Sequence, residues 1–268
     1  MAAERSEGGA DVVAALDEEI GLAGTRRGVW HAEYVGLAYR SAVEGAMARV
    51  GCDAPRVLKT DLWNECVAGD RDIVNHMTGS TGSRLFAVEL SLSLCVRGRA
   101  QAPGAHVVQA DIRALPFRTG AFDAVLDLST LDHLPAAGAA AAVGEYRRVL
   151  RSAAVLLLIF WQRGALVRLR LLLKRWLGRS EKPGQRYFDP AEVRTWFGGG
   201  VAIVREFAVG SLLTPPYRLT GAVLGLVPAR VRTAFLRRIV RIERSPVARG
   251  VLAPISGMRA IIAVRRGG

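Results

Sequence analysis

The chain has 268 residues, of which 50% are hydrophobic and 23% are charged, and its formal net charge at pH 7 is +13. This composition supports a sizeable buried core and argues against a disordered chain. The three cysteines form no CxxC pair, which argues against a bound metal and predicts reduced thiols in a cytoplasmic protein. Residues 1–20 lack a signal-peptide pattern, and the longest apolar run, Ala153–Trp161, is about half as long as a membrane-spanning helix.

The first 160 residues predict helices followed by alternating strands and helices. Ala10–Ile20 and Tyr34–Val50 have the apolar periodicity of helices. The short apolar runs typical of buried parallel strands are Arg56–Thr60, Leu85–Leu90, Ala105–Gln109, Ala124–Leu128 and Ala153–Phe160. The segments between them that suit crossover helices are Asp70–Met77, Leu92–Arg99 and Ala136–Leu150. This alternation predicts an α/β, Rossmann-like, doubly wound sheet.

The pattern changes after the fifth strand. Gly164–Leu177 is a basic, leucine-rich helix, and Asp189 is expected to cap a short helix that follows it. Val201–Val209 and Arg259–Val264 predict two more strands, which gives a sheet of about seven strands, mostly parallel. The long insertion between them carries another basic helix, which starts at Pro228. We divide this single domain into N-terminal helices (1–55), a core (56–160), a basic helix with a return helix (161–200), and the last strands with their basic helical insertion (201–268).

Two acidic residues at neighbouring strand ends are candidates for binding an adenosine. In an open α/β sheet, ligands bind outside the carboxyl ends of the strands. Glu89 lies at the end of the second strand, where a carboxylate can accept from both ribose hydroxyls, and Asp111 follows the third strand, where it can accept from an adenine amine. The backbone amide of Ile112 can donate to a ring nitrogen of the same base. Glu89 as a helix-capping carboxylate and Asp111 as a turn residue are the structural alternatives.

Four segments of the chain occur in an order and spacing that are found together in one known family. They are Ala110–Phe117, Phe122–Leu134, Glu145–Leu150 and Tyr187–Pro190. In the first three of these segments, residues 56–160 resemble the class I S-adenosylmethionine-dependent methyltransferases, and Tyr187–Pro190 resembles the approach to the sixth strand of the same family. The resemblance implies S-adenosylmethionine as the cofactor and methyl transfer as the reaction. It also places three further strand-end residues in the candidate cofactor-binding set: Leu90, Leu128 and Ser129.

The loop after the first strand departs from this family, whose first strand usually ends in an acidic residue and a glycine-rich loop. Here the loop is polar and contains no glycine before Gly69. In one interpretation, Thr60, Asp61 and Glu65 replace backbone contacts with side-chain contacts, and Asp61 or Glu65 pairs with the ammonium group of the cofactor. In the other, the loop is closed and the domain has lost its cofactor. We favour the first, because polar groups after a buried strand cost stability unless they have a function.

His133 follows the fourth strand, with Asp132 beside it, where the methyl acceptor usually lies in this family. An unperturbed histidine titrates near neutral pH, so we take His133 and Asp132 as the candidate catalytic residues, with His133 as general base. A packing role for His133 at a helix N-terminus is the alternative.

All of the basic excess lies in residues 161–268, because the residues before them are net acidic. We therefore predict O-methylation of a small or lipid-like acceptor under a cap made of the two basic insertions, with peripheral contact to an anionic membrane. A non-catalytic domain of the same fold, which binds a membrane or a partner through its basic face, is one alternative. A nucleic-acid methyltransferase is another, although no Asn/Asp-Pro-Pro-aromatic tetrad follows the fourth strand and we do not expect a nucleic-acid partner.

Overall fold

A computed structural model describes residues 29–63, 65–66, 73–80, 82–178, 186–210, 224 and 226–267. The predicted helix Ala10–Ile20, the start of the predicted helix Asp70–Met77 and residues 211–223 of the second basic insertion lie outside this part of the chain. Within it, no helix is both long and apolar enough to cross a membrane.

A single seven-stranded sheet forms the centre of the protein. Its strands are β1 (Arg56–Lys59), β2 (Arg84–Glu89), β3 (Ala105–Gln109), β4 (Phe122–Leu128), β5 (Leu150–Trp161), β6 (Val201–Ala208) and β7 (Met258–Arg265). They are arranged in the order β3-β2-β1-β4-β5-β7-β6. The first five strands pair in parallel, and β7 pairs antiparallel with both β5 and β6. The predicted Rossmann-like sheet of about seven mostly parallel strands is confirmed.

Two strands begin earlier than the apolar runs indicate. β4 starts at Phe122 rather than Ala124, and β5 starts at Leu150 rather than Ala153. Phe122 and Leu150 are fully buried and pair with each other across the two strands. Polar residues follow both Phe122 and Leu150 and interrupt the apolar runs of the sequence. Both strands nevertheless continue through these polar residues, with a local shift in the register between β4 and β5.

The helices largely follow the predicted segments. They are α1 (Val29–Met47), α2 (Ile73–Ser80), α3 (Leu92–Gln101), α4 (Ala136–Val149), α5 (Ala165–Trp176), α6 (Pro190–Trp196), α7 (Ala229–Glu243) and α8 (Pro246–Leu252), with a 3-10 helix at Leu131–His133. The predicted boundaries of Tyr34–Val50 are wrong: α1 ends at Met47, because the amide of Val50 donates to the Met47 carbonyl and closes a turn. The predicted cap of α6 is confirmed, since Asp189 accepts from the amide of Ala191 at 2.8 Å.

The helices cover the sheet with one apolar core on each face. Core residues of α1, α2 and α3 pack against one face, and those of α4 and α6 pack against the other. The basic helix α7 packs against α1, where the Tyr34 hydroxyl donates to the Glu243 carboxylate at 2.5 Å and Arg232 pairs with Glu33 at 2.8 Å. α7 is thereby fixed to the body of the protein.

Candidate active site

The candidate site lies where the order of the strands reverses. β1 is flanked by β2 on one side and by β4 on the other, so the strand order runs outward from β1 in both directions across the sheet. The crevice outside the carboxyl ends of such strands is the usual ligand site of an open α/β sheet. Five of the candidate residues lie at the end of β2 or on the loops that follow β1 and β2, and the other six lie at the end of β4 or on the loops that follow β3 and β4.

Lys59, the last residue of β1, was not selected as a site residue in the sequence analysis. Its side chain is fully buried, and its ammonium group lies 3.0 Å from a carboxylate oxygen of Glu65 and 3.5 Å from one of Asp61. It also donates to the backbone carbonyl of Asp61. Burial by itself lowers the pKa of a lysine, but the two carboxylates raise the pKa of Lys59 above its usual range. Lys59 is therefore a charged residue inside the protein.

The loop after β1 still has acceptor capacity beyond what Lys59 uses. Glu65 is 7% exposed, and no group among the described residues donates a hydrogen bond to its Oε1. Asp61 accepts from the hydroxyl of Thr130 at 2.9 Å, and the Thr130 and Thr60 hydroxyls lie 2.8 Å apart. These contacts connect the end of β1 to the end of β4. A buried carboxylate oxygen without a donor is costly, which is the condition expected where a cationic group of a ligand binds.

Glu89, at the end of β2, organises two backbone segments. Its Oε2 accepts from the amide of Leu62 and its Oε1 accepts from the amide of Ser91, each at 3.0 Å. Burial raises the pKa of this carboxyl group. The capping alternative is wrong, because the N-cap of α3 is Ser91, whose hydroxyl accepts from Leu94. The ribose-binding role of Glu89 stays a prediction.

Asp111 lies one residue beyond the point where β3 is bonded to the end of β2. The amide of Ala110 donates to the carbonyl of Glu89 at 3.0 Å, so the backbones that carry the two acids are adjacent, as the adenosine hypothesis requires. The Asp111 carboxylate also accepts from the backbone amide of Arg113 at 2.8 Å and pairs with its guanidinium at 2.6 Å. Asp111 thus stabilises a turn, as the structural alternative predicts, while 31% of its side chain remains exposed.

Asp127 and Tyr146 form a second buried polar group that the sequence analysis did not select. Asp127 lies in the interior of the apolar strand β4, accepts from the Tyr146 hydroxyl at 2.7 Å and accepts from the amide of Thr130 at 2.9 Å. Burial is the main cause that raises the pKa of Asp127 to about 7. An acid within the apolar run Ala124–Leu128 is the sequence signal that could have identified Asp127.

The substitution Asp127→Asn is expected to remove a pH-dependent part of the stability. An acid whose pKa is higher in the folded protein than in the unfolded chain binds its proton more tightly when folded, so its contribution to stability decreases as pH rises from the ordinary pKa of 3.8 to about 7 and is constant above that. Between pH 5 and pH 8 the wild-type protein should lose about 2–3 kcal/mol that the variant does not lose. Urea unfolding of both proteins at the two pH values measures this difference. Parallel pH profiles would contradict it.

Asp132 and His133 do not share one environment. Asp132 is 1% exposed, and its carboxylate accepts from the hydroxyl of Ser129 and, at 2.8 Å, from the backbone amide of Trp161. These bonds join the end of β4 to the end of β5, and burial raises the pKa of Asp132 well above its usual range. His133 is exposed at the same rim. Asp132 thus holds the ends of β4 and β5 together at this rim, whereas His133 is accessible to a substrate.

Ser129, Leu128 and Ile112 also lie at this edge. Ser129 has a φ of 79°, a conformation that is rare for residues other than glycine, and its amide donates to the carbonyl of Ile159 at 2.8 Å. Leu128 and Ile112 are buried, and Leu90 is half-buried. Strained backbone of this kind is often found at ligand sites.

The segments that carry the family resemblance contact one another directly. Glu145 on α4 accepts from the amide of Leu115 at 2.8 Å, and Arg148 donates to the carbonyls of Leu115 and Phe117. The Glu145 carboxylate and the Arg148 guanidinium also form an ion pair with each other at 2.7 Å. These bonds hold the loop after β3 against α4, which explains physically why the two segments occur together.

Comparisons with known proteins agree with this geometry. Residues 66–158 match the family described as Methyltransferase domain. No curated protein sequence gives a significant match to this chain. Among solved structures, the cyclase SpnF is 18% identical, with a TM-score of 0.54 over 86% of this chain and 81% of that chain.

Two further solved structures are similar. The PH0226 protein from Pyrococcus horikoshii OT3 is 14% identical, with a TM-score of 0.51 over 85% of this chain and 89% of that chain. The geranyl diphosphate C-methyltransferase from Streptomyces coelicolor A3(2) is 17% identical, with a TM-score of 0.52 over 85% of this chain and 76% of that chain. At these identities the similarity establishes a shared fold.

Proposed function

This chain contains a class I, S-adenosylmethionine-dependent methyltransferase domain, and from that premise we propose that it methylates an oxygen atom of a small or lipid-like acceptor. The observation that carries the proposal is the group of carboxylates at one edge of the sheet, on the loops after β1, β2 and β3. S-adenosylmethionine bears a sulfonium and an ammonium group, so negative charge at this edge complements it. When bound, it supplies an electrophilic methyl group.

The residues present fit such a cofactor. Glu65 Oε1, which is buried and receives no hydrogen bond from the described residues, can accept from the ammonium group together with Asp61. We propose that Glu89 and Asp111 hold the ribose and adenine, that Ile112 contributes its backbone amide, and that three neighbours line the site: Leu90, Leu128 and Ser129. Thr60 acts through its contact with Thr130, which positions Asp61.

The similar C-methyltransferase from Streptomyces coelicolor was solved with S-adenosyl-L-homocysteine and geranyl-S-thiolodiphosphate. A ligand with an apolar chain and an anionic head supports, by analogy of fold, a lipid-like acceptor here. We also retain a cytoplasmic location as part of the proposal, because Cys52, Cys66 and Cys95 are free thiols.

A non-catalytic role is the second candidate, and a specific observation favours it. Both carboxylate oxygens of Glu89 already accept hydrogen bonds from backbone amides. The Lys59 ammonium group already neutralises part of the negative charge on the loop after β1. Isothermal titration of the purified chain with S-adenosylmethionine separates the two candidates. The methyltransferase proposal requires saturable one-to-one binding, and the absence of binding heat and of any thermal shift would favour the non-catalytic domain.

His133 is the proposed general base, because it is exposed at the rim that faces the acceptor side of the cofactor site. We expect His133→Asn to leave the affinity for S-adenosylmethionine unchanged and to lower kcat by about 10²–10⁴-fold, the usual contribution of a positioned base. Release of S-adenosylhomocysteine across a panel of hydroxylated amphiphiles measures this. The exposed residue His106 was not placed at the site, and His106→Asn serves as the matched control. An equal effect of both substitutions would exclude the assignment.

A further inference from the structure

Helix α5 exposes apolar side chains on the surface that points away from the protein. Val167 is buried, and Leu171 and Lys174 are half-buried, so these three residues define the face that packs against the body of the protein. The residues exposed by more than two fifths are Leu166, Leu169, Leu172, Leu173, Trp176 and Leu177. At 3.6 residues per turn they form a stripe about 140° wide, on the side of the helix opposite Val167.

Cations flank this stripe on both sides. Arg168 and Arg175 project along one edge, and Arg170 lies along the other; α5 contains no acidic residue. Arg168 is partly engaged by Asp189, at 3.6 Å, while 63% of its side chain remains exposed. An apolar stripe bordered by arginines, with a tryptophan at 83% exposure, complements the anionic surface of a lipid bilayer in both charge and polarity.

The start of α5 is held rigidly at the edge of the sheet that carries the site. Any side chain at Gly164 would collide with the backbone carbonyl of Ser256. The amide of Ala165 donates to the carbonyl of Pro254 at 2.9 Å. β5, which ends three residues before Gly164, is bonded to Asp132 through Trp161 at the rim of the site. A bilayer that contacts α5 would therefore lie beside the proposed acceptor side.

We propose that α5 is a membrane-docking helix that lies on an anionic bilayer and brings the methyltransferase site to a lipid-like acceptor there. The inference about the acceptor rests on the proposed function, whereas the docking itself does not. The stripe inserts at the level of the headgroups, and the flanking cations contact lipid phosphates. Binding should require anionic lipid, because the cations supply the attraction that a stripe of this size lacks on a neutral surface.

Vesicle flotation of the full chain without cofactor tests the docking. Wild-type protein should float with vesicles of phosphatidylcholine and phosphatidylglycerol and should not float with phosphatidylcholine alone. We expect the triple substitution Leu169→Gln/Leu173→Gln/Trp176→Gln to reduce the partition coefficient at least about tenfold. Leu226→Gln/Val251→Gln is the matched control, because it removes equally exposed apolar side chains elsewhere on the protein and should have no effect.

A second pair of variants tests the charges. Arg170→Glu/Arg175→Glu should abolish flotation, whereas Arg237→Glu/Arg241→Glu on α7, with the same change in net charge, should reduce it much less. Failure of the wild type to float with anionic vesicles, or equal losses in the two charge variants, would overturn the proposal. So would a wild-type dimer that the α5 triple substitution converts to a monomer without changing flotation. Titration with S-adenosylmethionine is independent of these results, so failure of docking and failure of the enzyme proposal are distinguishable.

Discussion

Replacement of Lys59 by methionine is expected to lower the free energy of unfolding by about 3–5 kcal/mol, the usual cost of removing one partner of a buried ion pair. The ammonium group lies 3.0 Å from Glu65 and 3.5 Å from Asp61, in an environment that excludes water. Without it, Glu65 is left in the interior as a carboxylate with no counter-charge. The loss should decrease at acidic pH, because a buried carboxyl group without a cation binds a proton readily.

Urea unfolding of Lys59→Met, Glu65→Gln and the double variant forms a double-mutant cycle that isolates the pairwise interaction. The double variant should regain most of the stability lost by Lys59→Met, since it contains no unpaired carboxylate at position 65. Arg170→Met, at an exposed position of the surface helix α5, is the control and should change stability by less than about 0.5 kcal/mol. If Lys59→Met were as mild as this control, Lys59 would not be a buried ammonium group.

The second large effect concerns cofactor affinity. We expect Glu89→Ala to weaken the binding of S-adenosylmethionine about 100-fold. The substitution removes the proposed acceptor of the ribose hydroxyls, and it also removes the hydrogen bond that holds the loop after β1 at Leu62. The amides of Leu62 and Ser91 lose their acceptor as well, which should lower the free energy of unfolding by about 2 kcal/mol. Isothermal titration measures the affinity, and urea unfolding measures the stability.

Asp123→Ala separates these two effects. Like Glu89, the buried Asp123 accepts a hydrogen bond from a backbone amide, that of Arg56 at 2.7 Å, but it does so at the start of β4, at the sheet edge opposite the proposed cofactor site. The Asp123→Ala variant should therefore lose stability to a similar extent and keep its affinity for S-adenosylmethionine. If affinity decreased in both variants in proportion to stability, the ribose-binding role of Glu89 would be excluded.

The sequence alone was sufficient for the alternation of strands and helices in the core and for the Rossmann-like sheet that they form. Buried parallel strands are short apolar runs, and the crossover segments between them leave few topologies. The position of Glu89 beside the residues that follow β3 could be predicted for the same reason, since parallel pairing places consecutive carboxyl ends at one edge. The N-cap at Asp189 was also predictable, because capping depends on local chain geometry.

Three features of the site depended on side-chain contacts that form only in the folded chain. Lys59 becomes part of an ion pair only when the loop after β1 folds back over it, and Asp127 finds its partner Tyr146 on a helix that follows in the chain. Asp132 was selected because of its neighbour His133, yet its carboxylate bonds to the end of β5, 29 residues away.

The physical reason for this division is the range of the interactions. Periodicity and capping act over a few neighbouring residues and can be read along the chain, so they determined the helices and strands and their alternation. Burial and charge pairing depend on what the folded chain places around each group. Only the tertiary structure decided that one lysine is buried among carboxylates, that burial raises the pKa of one aspartate to about 7, and that another aspartate is removed from solvent.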